Sequence, residues 1–426
     1  MKLLIKKGRV INPANDLDGI FDLLISQGKV KEIGENLDAK ADQVIDAKGK
    51  WVVPGFVDLH VHLREPGFEY KETIESGCKA AAAGGYTTIC AMPNTRPVVD
   101  NEKVVEYIQQ KASTSKVNVL VIGAITKGQE GKELADVESM TRAGVCGLSE
   151  DGKTVKSSVL MKKAMLESKK FDLTIMCHCE DEELAGKGVI NHGDKANALE
   201  LKGIPNESED IIVARDLMLA KHTGAKVHIC HVSTAGAVKQ IDIAKEEGVE
   251  ATAEVTPHHF TLTEEDIKEH DTDYKMNPPL RKSEDRLALI RGLKNGSIDV
   301  IATDHAPHHM NDKNSTMNEA AFGIIGLETA LPLSITELVE QGYLSPVELI
   351  EKMSLNPSRV LGIQKGDISE GQVADIAIID PKESYIIDKN MMASKSKNTP
   401  FHGRKVNGKV KYTIAEGHII YSDNHE

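Results

Sequence analysis

Trp51-Val-Val-Pro-Gly-Phe-Val57 runs directly into Asp58-Leu-His60-Val-His62-Leu-Arg64, an apolar β-rich stretch that ends in alternating histidines. Side chains alternate along an extended backbone, so histidines two residues apart point to one face of a strand. One strand thereby offers two imidazoles to one ion. A second marker stands far downstream, Ala302-Thr-Asp304-His-Ala-Pro-His308. Together they predict a metal-dependent hydrolase whose site is assembled from strand ends.

Working outward, that stretch is the first of a series. Short β-branched runs recur at 55–62, 86–94, 117–125, 145–152, 173–180, 225–233, 249–259 and 298–308. Helical candidates lie between them, and several close on a glycine just before the next run, as helix C-caps do. Strands alternating with helices in this number, over about 310 residues, predict an α/β fold of the (β/α)8 TIM-barrel type. A doubly wound open sheet is the alternative. No Gly-x-Gly-x-x-Gly opens a helix after a strand, so a dinucleotide site has no support. Residues 1–54 and 366–426 read as short strands and turns, and are expected to pair into a small composite β-sandwich. The span 55–365 is left to the barrel.

The 426 residues are 40% hydrophobic and 27% charged, ordinary for a soluble globular chain. A net charge of -13 disfavours a nucleic-acid partner. An anionic small molecule stays compatible, because local cations override net charge. No run reaches the roughly 18 apolar residues of a membrane span. MKLLIKKGRV returns to lysine too soon for a secretory signal. Six cysteines, mostly in apolar runs, read as the buried reduced thiols of a cytoplasmic protein. Cys177 and Cys179 flank His178 and are expected to face away from any site that holds it.

The residues that end each run carry the chemistry. They are His60, His62 and Arg64, then Asn94, Asp151, His178, His231, the pair His258 and His259, and Asp304. In a barrel these positions open onto one rim, where active sites sit. Singly each is an ordinary polar residue; their recurrence at successive strand ends is the signal. Imidazole and carboxylate suit Zn²⁺, and a catalytic zinc lowers the pKa of bound water toward about 7. His60, His62 and Asp304 can hold one ion, and His178 and His231 a second. Asp151, on the fourth run, stands where a bridging anion is needed. Asp304 can also move a proton. His228 is expected on the opposite face, three residues before His231. His258 and His259 are expected as supporting groups, and His305 and His309 as loop residues. The polar stretch 305–320 is a candidate mobile lid.

These motifs place the chain beside a known family. Asp58-Leu-His60-Val-His62-Leu-Arg64-Glu-Pro66 resembles the N-terminal signature of the amidohydrolase superfamily, most closely that of dihydroorotases. Ala302 to His308 followed by Lys313, Met92-Pro-Asn94-Thr, and Phe322-Gly-Ile-Ile-Gly-Leu-Glu-Thr329 are similar to further dihydroorotase segments. The resemblance covers essentially the whole chain. It implies zinc-dependent, reversible hydrolysis of L-dihydroorotate to N-carbamoyl-L-aspartate in pyrimidine biosynthesis. It implies metal ligation by His60, His62, Asp151, His178, His231 and Asp304, with Asp304 catalytic. Substrate contacts would fall to His62, Arg64, Asn94, Asn277, His308 and the Phe322-Gly323 backbone. The planar guanidinium of Arg64 suits a substrate carboxylate.

One departure from the superfamily pattern is informative. Many members bridge two metals with a carboxylated lysine after the fourth strand. Here Asp151 resembles the aspartate of a bacterial dihydroorotase subgroup, which implies two zinc ions bridged by Asp151, with one site open to partial filling. Lys153 is the alternative bridge. Allantoinase, hydantoinase and dihydropyrimidinase are the neighbouring activities; they generally carry the lysine and lack the Arg-and-Asn carboxylate pocket. A non-catalytic scaffold relative would have lost ligands, whereas every position here is filled. The resemblance offers two protein partners, a second copy in a homodimer and aspartate carbamoyltransferase.

Overall fold

Each of the eight predicted runs contains a strand of one parallel sheet. In a computed structural model describing residues 2–268 and 271–423, these strands are Phe56–Val61, Tyr86–Ala91, Asn118–Ala124, Val145–Ser149, Thr174–Cys177, Val227–Ile229, Ala251–Val255 and Val300–Ile301. They pair in chain order. Register is set by partners such as Ile89 with Val119 and Ile175 with Leu148. The sheet closes on itself where Val61 bridges His305 in parallel and the His62 amide donates to the His305 carbonyl at 2.9 Å. A closed ring has no free edge, and both of its faces are covered, which is why the strands read as continuous apolar runs.

Two apolar layers hold the barrel. Inside it pack Val57, Leu59, Cys90, Ile122, Met176 and Val300. Between strands and helices lies the larger core, with Ile89, Leu148, Ile175 and Val227 facing helix residues such as Val105, Met165 and Ile241. Cys177 and Cys179 belong to this outer layer, facing away from the barrel interior as expected. All six cysteines are unpaired. The predicted C-caps hold at Gly224 and Gly296, which end their helices in the left-handed region at φ 64° and 89°.

The two ends of the chain meet in a second sheet. Ile376–Ile386 pairs antiparallel with Trp51–Pro54, joining the C-terminal strands to the N-terminal ones. Strand Lys2–Asn12 bulges between Ile5 and Gly8, with Lys7 at φ 60°. Its first half pairs with Gln43–Asp46 and its second with Trp51 and Val52. A strand that changes neighbours at a bulge turns a corner, so the sheet wraps its own core of Leu3, Ile25, Ile45, Ile376 and Ile414. Residue 1 and residues 424–426 of the expected composite unit lie outside the described residues. No helix among the described residues is long and apolar enough to cross a membrane.

Candidate metal centre and active site

The barrel brings the scattered strand-end residues to one point. Asp151 is the centre. Its Oδ1 lies 3.1 Å from His60 Nε2, 3.6 Å from His178 Nδ1 and 3.8 Å from His231 Nε2. Its Oδ2 lies 3.4 Å from His62 Nε2. Asp304 Oδ1 stands 3.1 Å from His62 Nε2 and 3.6 Å from His60 Nε2. His178 Nδ1 and His231 Nε2 are 3.0 Å apart. Two compact donor groups result, His60 with His62 and Asp151, and Asp151 with His178 and His231. Asp151 belongs to both.

These spacings suit donors arranged around ions. Zinc bonds of about 2.0–2.1 Å in a tetrahedron place neighbouring donor atoms about 3.3 Å apart. His60 Nε2 is fully buried and makes no hydrogen bond, a costly state for an imidazole unless a cation uses its lone pair. The tautomers agree. His60 Nδ1 sits 2.7 Å from Glu254 Oε1, and His62 Nδ1 2.9 Å from Asn94 Oδ1. Both partners are acceptors, so each Nδ1 carries a proton, and each Nε2 is turned toward the carboxylates of Asp151 and Asp304. The charge of the pocket is a separate argument. Burial works against a charge on His60, but the carboxylates of Asp151 and Glu254 outweigh it and push its pKa well up. Such a pocket draws in positive charge.

Asp304 follows the last strand with φ 46°, and His231 follows the sixth with φ 34°. Both have left the extended backbone. Burial acts to raise the Asp304 carboxyl, yet the imidazoles of His60, His62 and His231 outweigh it and hold it below its ordinary range. The group is therefore an ionised base.

A cavity of about 210 Å³ opens beside this cluster. Its wall includes Arg64, Asn94, Asn277, His308, Phe322 and Gly323, together with His62, Asp151, His178, His231 and Asp304. Thus all the expected site residues except the buried His60 line one space. Arg64 is aimed by its Nε, which donates to the Pro307 carbonyl at 3.1 Å. Burial lowers its pKa to about 10, so it stays charged. His308 is kept neutral by burial and by the charges of Arg64, Lys71 and Lys313. Gly323, at φ 123°, packs so closely that a Cβ there would meet Ala306 Cβ at 2.6 Å; only glycine fits.

Several details differ from expectation. Asn94 Nδ2 donates to Asp151 Oδ2 at 3.1 Å, so its amide ties His62 to Asp151 as well as lining the cavity. Gly323 N–H donates to the Lys275 carbonyl, and the Phe322 carbonyl accepts from His308 Nε2. Much of that backbone is already paired within the protein. Lys153 donates to the Gln129 carbonyl at 2.9 Å and is not part of the cavity wall. The stretch 305–320 is anchored: Lys313 Nζ donates to the carbonyls of Lys275, Ala321 and Gly323, and Lys275 Nζ to that of Met317.

His228 does not face away from the site's supports. The sixth strand ends at Ile229, so alternation cannot be counted on to His231. His228 Nε2 meets Glu254 Oε2 at 3.0 Å inside the barrel. Glu254 is the residue that strand-end reasoning missed. It is fully buried, holds His60 Nδ1, and accepts the His231 amide at 3.2 Å. A carboxylate inside the strand Ala251–Val255 was its signal, since buried charges need partners. His305 is likewise a buried group and not a loose loop residue: its Nδ1 accepts from the Gly326 amide, and its Nε2 lies 3.5 Å from Glu72. His259 bridges Thr256 and the Pro278 carbonyl, a packing role as expected.

A closed parallel barrel with a His–Asp donor cluster at the carboxyl ends of its strands defines a class, the metal-dependent amidohydrolases. The comparisons narrow it. The family described as dihydro-orotase-like matches residues 49–237. The dihydroorotase of Acetivibrio thermocellus is 51% identical over 419 residues, covering 98% of each chain. That of Caldanaerobacter subterraneus subsp. tengcongensis is 51% identical over 425 residues, covering 100% of this chain and 98% of the relative. Among solved structures, the L-hydantoinase (dihydropyrimidinase) of Arthrobacter aurescens superposes with a TM-score of 0.89 at 28% identity, covering 99% of this chain and 96% of its own. The chain belongs to the dihydroorotase family.

Proposed function

We propose that the protein hydrolyses L-dihydroorotate reversibly to N-carbamoyl-L-aspartate, the ring-opening reaction of pyrimidine biosynthesis. The carrying observation is that one cavity joins the His–Asp cluster to the Arg64 guanidinium, so a cyclic amide and its carboxylate can be gripped together. Identity of 51% with dihydroorotases, against 28% with a hydantoinase, supports the same choice.

In this reading His60, His62 and Asp304 would hold one zinc ion and His178 and His231 a second, with Asp151 shared between the two sets. Zinc held there would supply Lewis-acid polarisation of the ring carbonyl and water with a pKa of about 7. Arg64 pairs with the substrate carboxylate in bidentate fashion, and Asn277 and His308 complete the pocket. As the water oxygen bonds to the carbonyl carbon, Asp304 accepts its proton. Asp304 then delivers that proton to the ring nitrogen as the carbon–nitrogen bond breaks. Ring closure runs the same transfers backward. Glu254 and Asn94 keep the two imidazoles in the tautomers that ligation requires. Residues 55–365 make up the catalytic unit, and 1–54 with 366–426 the accessory one. A cytoplasmic homodimer, with aspartate carbamoyltransferase as a docking partner, belongs to the same proposal; sedimentation with and without that enzyme reads both.

Turnover of dihydroorotate, allantoin and hydantoin on one sample, with its metal content, tests the function. Dihydroorotate should be preferred by orders of magnitude. Preference for either uncharged ring would overturn it.

A further inference from the structure

Behind His308, which lines the cavity beside Arg64, stands a second cation, Lys71, that catalysis leaves unused. Lys71 follows a short turn after Arg64, its amide donating to the Phe68 carbonyl at 2.9 Å. Its Nζ lies 3.1 Å from His308 Nδ1 and 3.3 Å from Asp312 Oδ2. The ammonium sits 5.6 Å and 5.5 Å from the ring centres of Phe68 and Tyr70. Only 14% of the side chain is exposed. A lysine so enclosed has little rotamer freedom left, and its contacts place it on one histidine.

The state of that histidine follows from its neighbours. His308 Nε2 lies 2.7 Å from the Phe322 carbonyl oxygen, which can only accept. Nε2 therefore carries the proton and Nδ1 is bare. Lys71 Nζ is the donor that meets the bare nitrogen. Arg64 Nη2 is 3.3 Å from the same Nε2, but a protonated nitrogen cannot accept from it. The guanidinium end thus remains open toward the cavity, held at its other side by the Pro307 carbonyl. Without Lys71, the His308 proton could move to Nδ1. The bare Nε2 would then face the Phe322 oxygen, and the ring would turn away, taking the Pro307–His308 support of Arg64 with it.

We propose that Lys71 is a positioning residue that determines specificity: it donates to His308 Nδ1, fixes the Nε2–H tautomer beside Arg64, and adds a second positive charge to the arm that selects carboxylate-bearing rings. The inference rests on the dihydroorotase reading and adds a residue to its substrate arm. A neutral ring feels little of that second charge, whereas an anionic one is attracted by it. Asp312 balances part of it, which keeps the arm from binding anions indiscriminately.

The test uses the full-length, metal-loaded enzyme carrying Lys71→Met, Lys71→Gln or Lys71→Arg, each checked for metal content and melting temperature. Binding of orotate, which carries the ring carboxylate, and of uracil, which lacks it, is measured by calorimetry. KM and kcat for dihydroorotate are measured alongside. Lys71→Met should weaken orotate binding and raise KM roughly 10- to 100-fold, as loss of a charge-assisted contact does. Uracil binding and kcat should stay within about threefold. Lys71→Arg should restore most of the loss. Lys71→Gln, which keeps a donor without the charge, should fall between, and it stands in should the Met variant not fold. Equal losses for orotate and uracil, or a fall in kcat with KM unchanged, overturn the inference. Wild-type enzyme that binds orotate but does not turn over dihydroorotate would sink the functional reading alone.

Discussion

Replacing Glu254 by glutamine removes one charge from a place that touches no substrate. Glu254 Oε1 takes the His60 Nδ1 proton at 2.7 Å and the His231 amide at 3.2 Å, while Oε2 meets His228 at 3.0 Å. Glutamine is nearly the same shape. Its oxygen can keep His60 and His231, and its NH2 can face His228 if that ring shifts its proton to Nδ1, 2.8 Å from Thr252 Oγ1. The fold should therefore survive. What is lost is the negative charge that makes His60 a strong donor. Loss of such an outer carboxylate costs about 10- to 100-fold in metal affinity, or about 1.4–2.7 kcal/mol. Competition with a chromophoric chelator measures this directly, with metal per chain counted before and after. Glu254→Ala should behave differently. It strands two imidazole nitrogens and an amide in the barrel interior, at about 1–3 kcal/mol each, and should lower the melting temperature sharply. Unchanged metal affinity in a well-folded Glu254→Gln would refute the assignment of Glu254 as the support of His60.

Other outcomes follow from the same geometry. Asp304→Asn should cut turnover in both directions by about 10²–10⁴-fold with the fold intact; near-normal rates in a melting-checked sample would remove Asp304 from proton transfer. Arg64→Ala should raise KM for dihydroorotate by about 10-fold or more and narrow its preference over hydantoin; an unaltered preference would mean that Arg64 does not hold the carboxylate. Dialysis against a chelator should silence the enzyme and Zn²⁺ should restore it, whereas activity in protein shown to be metal-free would contradict the mechanism.

Much of this site could be read before any coordinates. Each barrel strand is buried on both faces, so its run is apolar almost to its end, and a polar residue at that end stands out. That is why His60, Asp151, His178, His231 and Asp304 were visible as a set. Alternation served well for His60 and His62, which share one strand and its immediate end. It failed for His228 because the chain leaves extended geometry before His231, at φ 34°. Glu254 and Lys71 were hidden for another reason. Their partners lie 194 and 237 residues away, so the local sequence shows a charged residue but not what it meets. The stretch 305–320 has the composition of a loop, and what tethers it, two buried lysines donating to carbonyls within and beside it, is set by distant contacts.

The seam where the ring closes lies directly beneath its chemistry. The final strand is only two residues long, and the chain just past it meets the first strand through Thr303 on Asp58, the Val61–His305 bridge and the His62 amide. His60 and His62 stand on one lip of that seam and Asp304 on the other. A cation shared among them would act as a clasp, so cofactor loss should be felt mechanically as well as catalytically. Amide hydrogen exchange at His62 should quicken on demetallation well before exchange at Ile89 or Ile175, which lie among strands zipped on both sides.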